Sequence, residues 1–576
     1  MRHVAVNHRF TNTALMPLPS LRRFASSLLV FSLVAFVPAV RSATFDVRAY
    51  GAKGDGTTLD TEAINKAIEA AAAAGGGTVS FPAGVYPSHS IRLKSNITLH
   101  LDAGSTLLAA SPANGIGYDP AEPNEWGDKG YQDFGHSHWH DSLIWGENIE
   151  NIAITGQGRI HGKGLIRGGG GGRRPQQGVT QATGANPAAA MPTPPAGGQG
   201  NKAIALKNCR NVTLRDISIL EGGWFALLAT GVDNMTIDNL RVDTNRDGFD
   251  IDACRNVRVS NCHVNSINDD AIVLKSSYAL GELRPCENIT ITGCQVSGYD
   301  IGSVLNATYT KNQALAADRD GPTGRIKFGT ESNGGFKNIT ISNCVFTRCR
   351  GIALETVDGG IIEDIAITNI TMREVSNSPI FLRLGNRARG PEGTPVGAIR
   401  RVTISHVFAS NCDPRYPILI AGLPGHPIED VRLDDIRVTF RGGLTMEQVA
   451  QQPADLVNTF FLRGPGLNGP REPFNPPEQE KGYPEPSMFG LLPAYGVFVR
   501  HATNLRFDNV KIGFQVADHR PAVVLMDVAK VTFSALDADR AGTQPTFVLR
   551  GVTGFSVRDS SPVADTRHET VESDTL

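Results

Sequence analysis

Polar and apolar residues alternate along this chain in short bursts, and the bursts resemble one another. Each opens on a polar residue: NITLHL from Asn96, NIAIT from Asn151, NVTL from Asn211, NMTI from Asn234 and NVRV from Asn256. The pattern returns from Asn288, Asn338, Asp364, Arg401, Asp430, Asn504 and Lys530, and as GFSV from Gly554. A period of two marks a strand with one buried face. Strands this short cannot stand alone, and no Asn-Gly hairpin turn joins consecutive ones. Coils of about 22 residues, stacked so that every strand pairs with its equivalents above and below, bury a continuous core. The expected fold is therefore all-β: a single-stranded, right-handed parallel β-helix whose longer coils carry loop insertions.

The end of such a stack needs a cap. Residues 59–73 supply one, with Leu59, Ala63, Ile64, Ala67, Ile68 and Ala71 on one helical face and Gly75–Gly77 as the stop. Two segments break the repeat. The stretch 168–200, rich in Gly, Pro, Ala and Gln, reads as a disordered low-complexity loop. The Pro-rich stretch 441–490 reads as an excursion that folds back over a cleft.

At the start, Arg22-Arg23 precede an apolar run at 26–40, and small residues follow around Ser42-Ala43. This is the pattern of a secretory leader, with an uncleaved anchor as the alternative. The division is then 1–43 leader and 44–576 β-helix domain, a soluble monomer that is secreted or periplasmic and has no membrane partner after cleavage. With 55 Lys+Arg against 57 Asp+Glu, the 576 residues carry a formal charge of −2 and lack the footprint of a nucleic-acid binder. Cys209, Cys262, Cys294, Cys344 and Cys412 recur at one point of the repeat and read as a buried column. Cys344 and Cys349 are the one plausible local disulfide. No cysteine–histidine cluster points to zinc, and no cofactor is expected.

Register singles out a set of acids. Asp247 follows Asn234 by 13 residues, and Asp269 follows Asn256 by 13, which places the two on adjacent rungs with Asp270 beside them. Asp269 and Asp270 are expected in a turn before the strand 271–274, where side-chain alternation does not apply. Packed acids repel and raise at least one pKa. Glycoside hydrolysis uses such a set, one carboxyl protonated to donate to the leaving oxygen and another ionised to activate water. A calcium site and a solvated acidic turn remain open from spacing alone.

The motif N245-R-D-G-F-D250 followed by D269-D270 resembles the signature of the polygalacturonase-type glycoside hydrolases of family 28. The N-terminal FDVRAYGAKGDG…AGGGTVSFPAGVY, residues 45–86, looks like the cap of the pectin-lyase-like β-helix superfamily. The resemblance implies a metal-free, inverting hydrolase of pectic poly- or oligosaccharides, with Asp269 as general acid and Asp247 and Asp270 activating water. It also implies substrate contacts from Asn245 and Asp250.

The family's Gly-His-Gly and Arg-x-Lys are not in register here. Tyr299 and Asp300 stand near the former, and Ala353 and Glu355 replace the latter. Arg325 and Lys327 form a literal Arg-x-Lys on an earlier coil, poised either to reach the cleft or to edge a solvated strand. Arg350 and Arg383, with Arg387 and Arg389, are further candidate clamps for an acidic sugar. Glu355 would repel a uronate, so rhamnogalacturonan, a modified pectic glycan or a neutral sugar beside the bond fits better than plain homogalacturonan. Long loops at one edge favour exo action. His136, His138 and His140 alternate on one potential strand face. Trp126, Trp139 and Trp145 suit a sugar-stacking platform or, for Trp145, core packing. A polysaccharide lyase on the same scaffold and a non-catalytic glycan-binding β-helix are the competing functions.

Overall fold

The computed structural model describes residues 43–166, 198–316, 319–464 and 466–576. The expected leader, apart from its last residue, and the low-complexity loop up to residue 197 lie outside them. Among the described residues all strands but the last pair in parallel along one continuous ladder, as expected of a parallel β-helix. One buried column runs Val212, Met235, Val257, Ile289, Ile339, Ile365, Val402, Val431, Leu505, Val531 and Phe555, each opposite the next. These positions are buried, so the period-two pattern is the inward face of the coil.

The polar residue that opens each repeat has a structural reason. All thirteen such residues, from Asn96 to Gly554, adopt left-handed backbone with φ between 52° and 64°. Asn tolerates that region better than other side-chain-bearing residues. Its amide also bridges coils. Asn151 donates to Asn96 at 2.9 Å, Asn211 to Asn151 at 2.8 Å, and Asn234 to Asn211 at 2.7 Å. Where the ladder passes to charged residues, Arg401 donates to Asp364 at 2.6 Å.

The first coil is covered by the helix Thr61–Ala73, which buries Ile64, Ala67, Ile68 and Ala71. Leu59 is not on its buried face; it is exposed ahead of the helix, because Asp60 turns in to accept the Lys53 and Gly54 amides. At the far end Thr566–Thr575 runs antiparallel along Phe547–Arg558 and occupies the last open edge. All eight cysteines are free and buried, including Cys344 and Cys349, so the expected local disulfide is absent. Their thiols act as small core groups, and burial pushes that of Cys209 up to about 11. No described helix is long and apolar enough to cross a membrane.

Candidate active site

The site arises from a one-residue irregularity. Met235 faces Val257 and Val242 faces Val264, steps of 22, but Phe249 faces Ile272, a step of 23. The extra residue falls between Ser266 and Ile272, in the turn that holds Asp269 and Asp270. Asp247 consequently lies level with Asp270, not with Asp269 as counting from the repeat starts suggests. The Gly248 amide donates to the Asp270 carbonyl at 3.0 Å, and the Asp270 amide donates to Asp247 Oδ1 at 3.2 Å. Gly248 is required here, since a Cβ would lie 2.3 Å from the Ala271 carbonyl oxygen.

The result is a trio: Asp247, Asp269 and Asp270 each offer a carboxyl oxygen within 4.8 Å of the others. Burial, then repulsion from Asp269, raises the Asp247 pKa well above the carboxylate range. Burial acts the same way on Asp269, but Arg246 at 3.1 Å and Arg319 at 3.5 Å outweigh it and hold Asp269 below that range. Asp270 is likewise buried and held low, by Lys327 at 3.6 Å and Arg325 at 2.7 Å. Of the three carboxyls, Asp247 is the one whose surroundings favour the neutral form. Asp269, expected as the general acid, is faced by these two guanidiniums.

Arg325 and Lys327 reach the site. Their strand, Ile326–Ser332, pairs directly with Ile272–Ser276, so Lys327 lies beside Val273 on the rung after the aspartates. Neither cation is free. Besides Asp270, Lys327 faces Glu355 at 3.2 Å and Arg325 faces it at 3.7 Å. Glu355 itself is fully buried, so it is no open repulsive charge against a sugar; it acts through its two cations. Burial pushes its pKa up to about 7 against their opposing pull.

Several other expected contact residues have partners within the protein. Asp250 is fully buried; its carboxylate lies 3.1 Å from His136 Nε2 and 3.6 Å from Lys275. Asn245 uses its side-chain oxygen to accept from Asn268 and Gln313, tying coils to the insertion at 304–322. Asp300 accepts the amides of Asn312 and Gln313 at the base of that insertion, and Tyr299 packs edge-on to Tyr309. Arg383 is fully buried and donates to the carbonyls of Gly422, Glu478 and Gln479, so it anchors the 441–490 excursion. Arg389 is committed to Asp358 and Glu331.

The histidines do not share a strand face, because Phe134–His136 is a 3-10 turn. His138 stacks on Phe134, and His140 stacks on Trp145 and contacts Glu147. Trp139 is core, its indole N–H donating to Thr230 at 3.1 Å, which removes it from any sugar platform. His136, Asp247 and Asp250 would suit a metal by spacing, but the Lys275 ammonium lies 2.7 Å from His136 Nε2 and supplies the positive charge there.

The excursion does fold back over the cleft. Its Tyr483 hydroxyl lies 3.4 Å from Lys327, and Glu485 reaches Arg325, Arg350 and Asn377. With the loop carrying His136 and the insertion carrying Arg319, three chain segments converge on the trio. Reasoning from sequence missed Lys275, Glu331, Arg246, Arg319 and Glu485. The placing of Lys275 on the strand facing Asp250, two residues beyond the Asp250–Val273 pair and so on the same side, was a signal for the first of these.

Residues 44–272, which include the whole trio, match the family described as "Rhamnogalacturonase A/epimerase, pectate lyase-like". A family 28 exopolygalacturonase of Yersinia enterocolitica superposes with a TM-score of 0.56 over 85% of this chain and 78% of its own, at 17% identity. The chain shares that enzyme's β-helix fold. Among curated relatives of this β-helix, a probable polygalacturonase of Vitis vinifera is 22% identical over 422 residues, 68% of this chain and 73% of that protein. An exo-poly-alpha-D-galacturonosidase of Dickeya chrysanthemi is 48% identical over 68 residues, which span 12% of this chain and 11% of that enzyme.

Proposed function

We propose that this β-helix is a glycoside hydrolase of pectic polysaccharide, exported from the cell and active as a monomer. The observation that carries the reading is the trio itself: three carboxyls gathered in one pocket, two of them buried, with cations flanking Asp269 and Asp270. Asp269 delivers a proton to the glycosidic oxygen, and Asp247 and Asp270 hold the attacking water. Substrate hydroxyls drawing Arg246 and Arg319 off Asp269 raise its pKa toward that of a proton donor. Inverting pairs are commonly about 6.5–9.5 Å apart, so here the water rests on one side, between Asp247 and Asp270, rather than between donor and base. Proton NMR of the first-formed product checks this: an anomer opposite to that of the substrate is expected, and retention excludes it.

Two finer features follow. Arg325 and Lys327 are already neutralised by Asp270 and Glu355, which favours a neutral sugar or a rhamnogalacturonan-type chain beside the scissile bond. Convergence of three segments on the trio favours a pocket that takes chain ends, hence exo action. Mass spectrometry of products from polygalacturonate and rhamnogalacturonan oligosaccharides tests both. Faster turnover of polygalacturonate would remove the first, and mid-chain cuts the second. Asp269→Asn is expected to lower kcat by about 10²–10⁴-fold while oligosaccharide still binds. An unsaturated, ultraviolet-absorbing product would instead select a lyase.

A further inference from the structure

Glu485 is held as a bound ligand is held. Its Oε2 accepts from Arg350 at 2.5 Å and from Arg325 at 3.3 Å, while Oε1 accepts from the Asn377 amide at 3.1 Å. The three donors come from three different coils of the β-helix, and the carboxylate comes from the excursion, 135 residues along the chain from Arg350. All four residues are almost fully buried. Arg350 has capacity to spare, since its Nε and Nη2 are buried without a hydrogen-bond partner and Asp320 stands 3.7 Å away. Arg325 meanwhile donates from Nε to Asp270, so this basket adjoins the trio directly.

Two guanidiniums and a side-chain amide converging on one point make a receptor for a planar monoanion. We infer that Arg325, Arg350 and Asn377 form a carboxylate-binding subsite and that Glu485 occupies it, so that Glu485 is a specificity-determining residue which excludes the carboxylate of a uronic acid. The excursion presents the chain's own acid where an acidic sugar would otherwise dock, and a neutral residue next to the scissile bond is selected by like-charge exclusion. The consequence for substrate choice rests on the hydrolase reading; the existence of the masked subsite does not.

The test separates the two. In Glu485→Ala the basket is vacated, and acetate at constant ionic strength is expected to raise Tm in the variant and not in the unaltered protein, because a ligand that binds only the folded state stabilises it. Acetamide, neutral and of the same shape, is the control. An acetate response equal in both proteins overturns the subsite. Glu485→Gln keeps the shape and removes the charge, which guards against a variant that fails to fold. Calorimetry is expected to show D-galacturonate binding Glu485→Gln about tenfold tighter than the unaltered protein, a difference of one decade in Kd. Equal affinity overturns the exclusion role. Both readouts are binding measurements, so they stand whether or not the chain hydrolyses pectin; a fall in KM for oligogalacturonate in Glu485→Gln then ties the subsite to turnover.

Discussion

Glu355 shows how a single buried group reports on its surroundings. Its pKa is about 7, above the ordinary 4.5 of a glutamate, because burial disfavours its charge more than Lys327 and Arg325 favour it. A raised folded-state pKa means stability present below the unfolded value and lost as pH rises through about 7. Glu355→Gln is therefore expected to gain Tm relative to the unaltered chain between about pH 5 and pH 8, and scanning calorimetry across that range checks the sign. Arg246 gives the companion case on the rate. Removing it in Arg246→Gln takes a cation from Asp269, so the alkaline limb of kcat/KM is expected to move to higher pH; a profile lowered but unmoved would deny Arg246 that role. The aspartates were legible at this scale because Asn-x-Asp-Gly-x-Asp and Asp-Asp are local strings. Their cationic partners were not, because Arg246, Lys275 and Arg319 meet them only through register and loop closure. Arg383 reads in the sequence as a clamp for an acidic sugar because two of the carbonyls that take its hydrogen bonds come from residues 478 and 479, far along the chain.

At the level of the coil, the left-handed corners decide the repeat. Asn211, at φ 57°, is both corner and rung of the amide ladder. Asn211→Gly keeps the backbone geometry and loses two exposed hydrogen bonds, whereas Asn211→Val loses the same two and adds a β-branched side chain in a region it avoids, at a cost of about 1–3 kcal/mol. Urea unfolding is expected to rank Val well below Gly; equal losses would mean that the ladder, not the corner, is what matters. The corners were readable as a recurring polar residue and the columns as alternation. The one-residue offset was not, because counts taken between repeat starts average over the coil: Asn234 to Asn256 is 22 residues, and the added residue enters only after Ser266.

For the molecule as a whole, a stacked coil has two ends and one interior, and the ends are where it is exposed to its neighbours. Thr566–Thr575 covers the final strand, pairing from Val548 opposite Thr575 to Val557 opposite Thr566. A chain stopped at residue 560 leaves Phe547–Arg558 as a bare edge and is expected to self-associate, which light scattering at matched concentration reads directly. A truncated chain that stays monodisperse would mean the hairpin is dispensable for solubility. The stack itself was foreseeable from repetition. The closure of the pocket was not, since it depends on segments without periodicity that return from far along the chain.

The longer turn at 267–271 places the chemistry at a fault in an otherwise regular lattice. A crystal dislocation concentrates reactivity because atoms there escape the symmetry that passivates the bulk, and this chain does the same with one amino acid: regular alternation would direct one of two neighbouring acids into the hydrophobic interior, and the fault lets both face the cavity. Excising a single residue from that turn ought to heal the lattice, leaving a better-ordered rod with no catalyst on it.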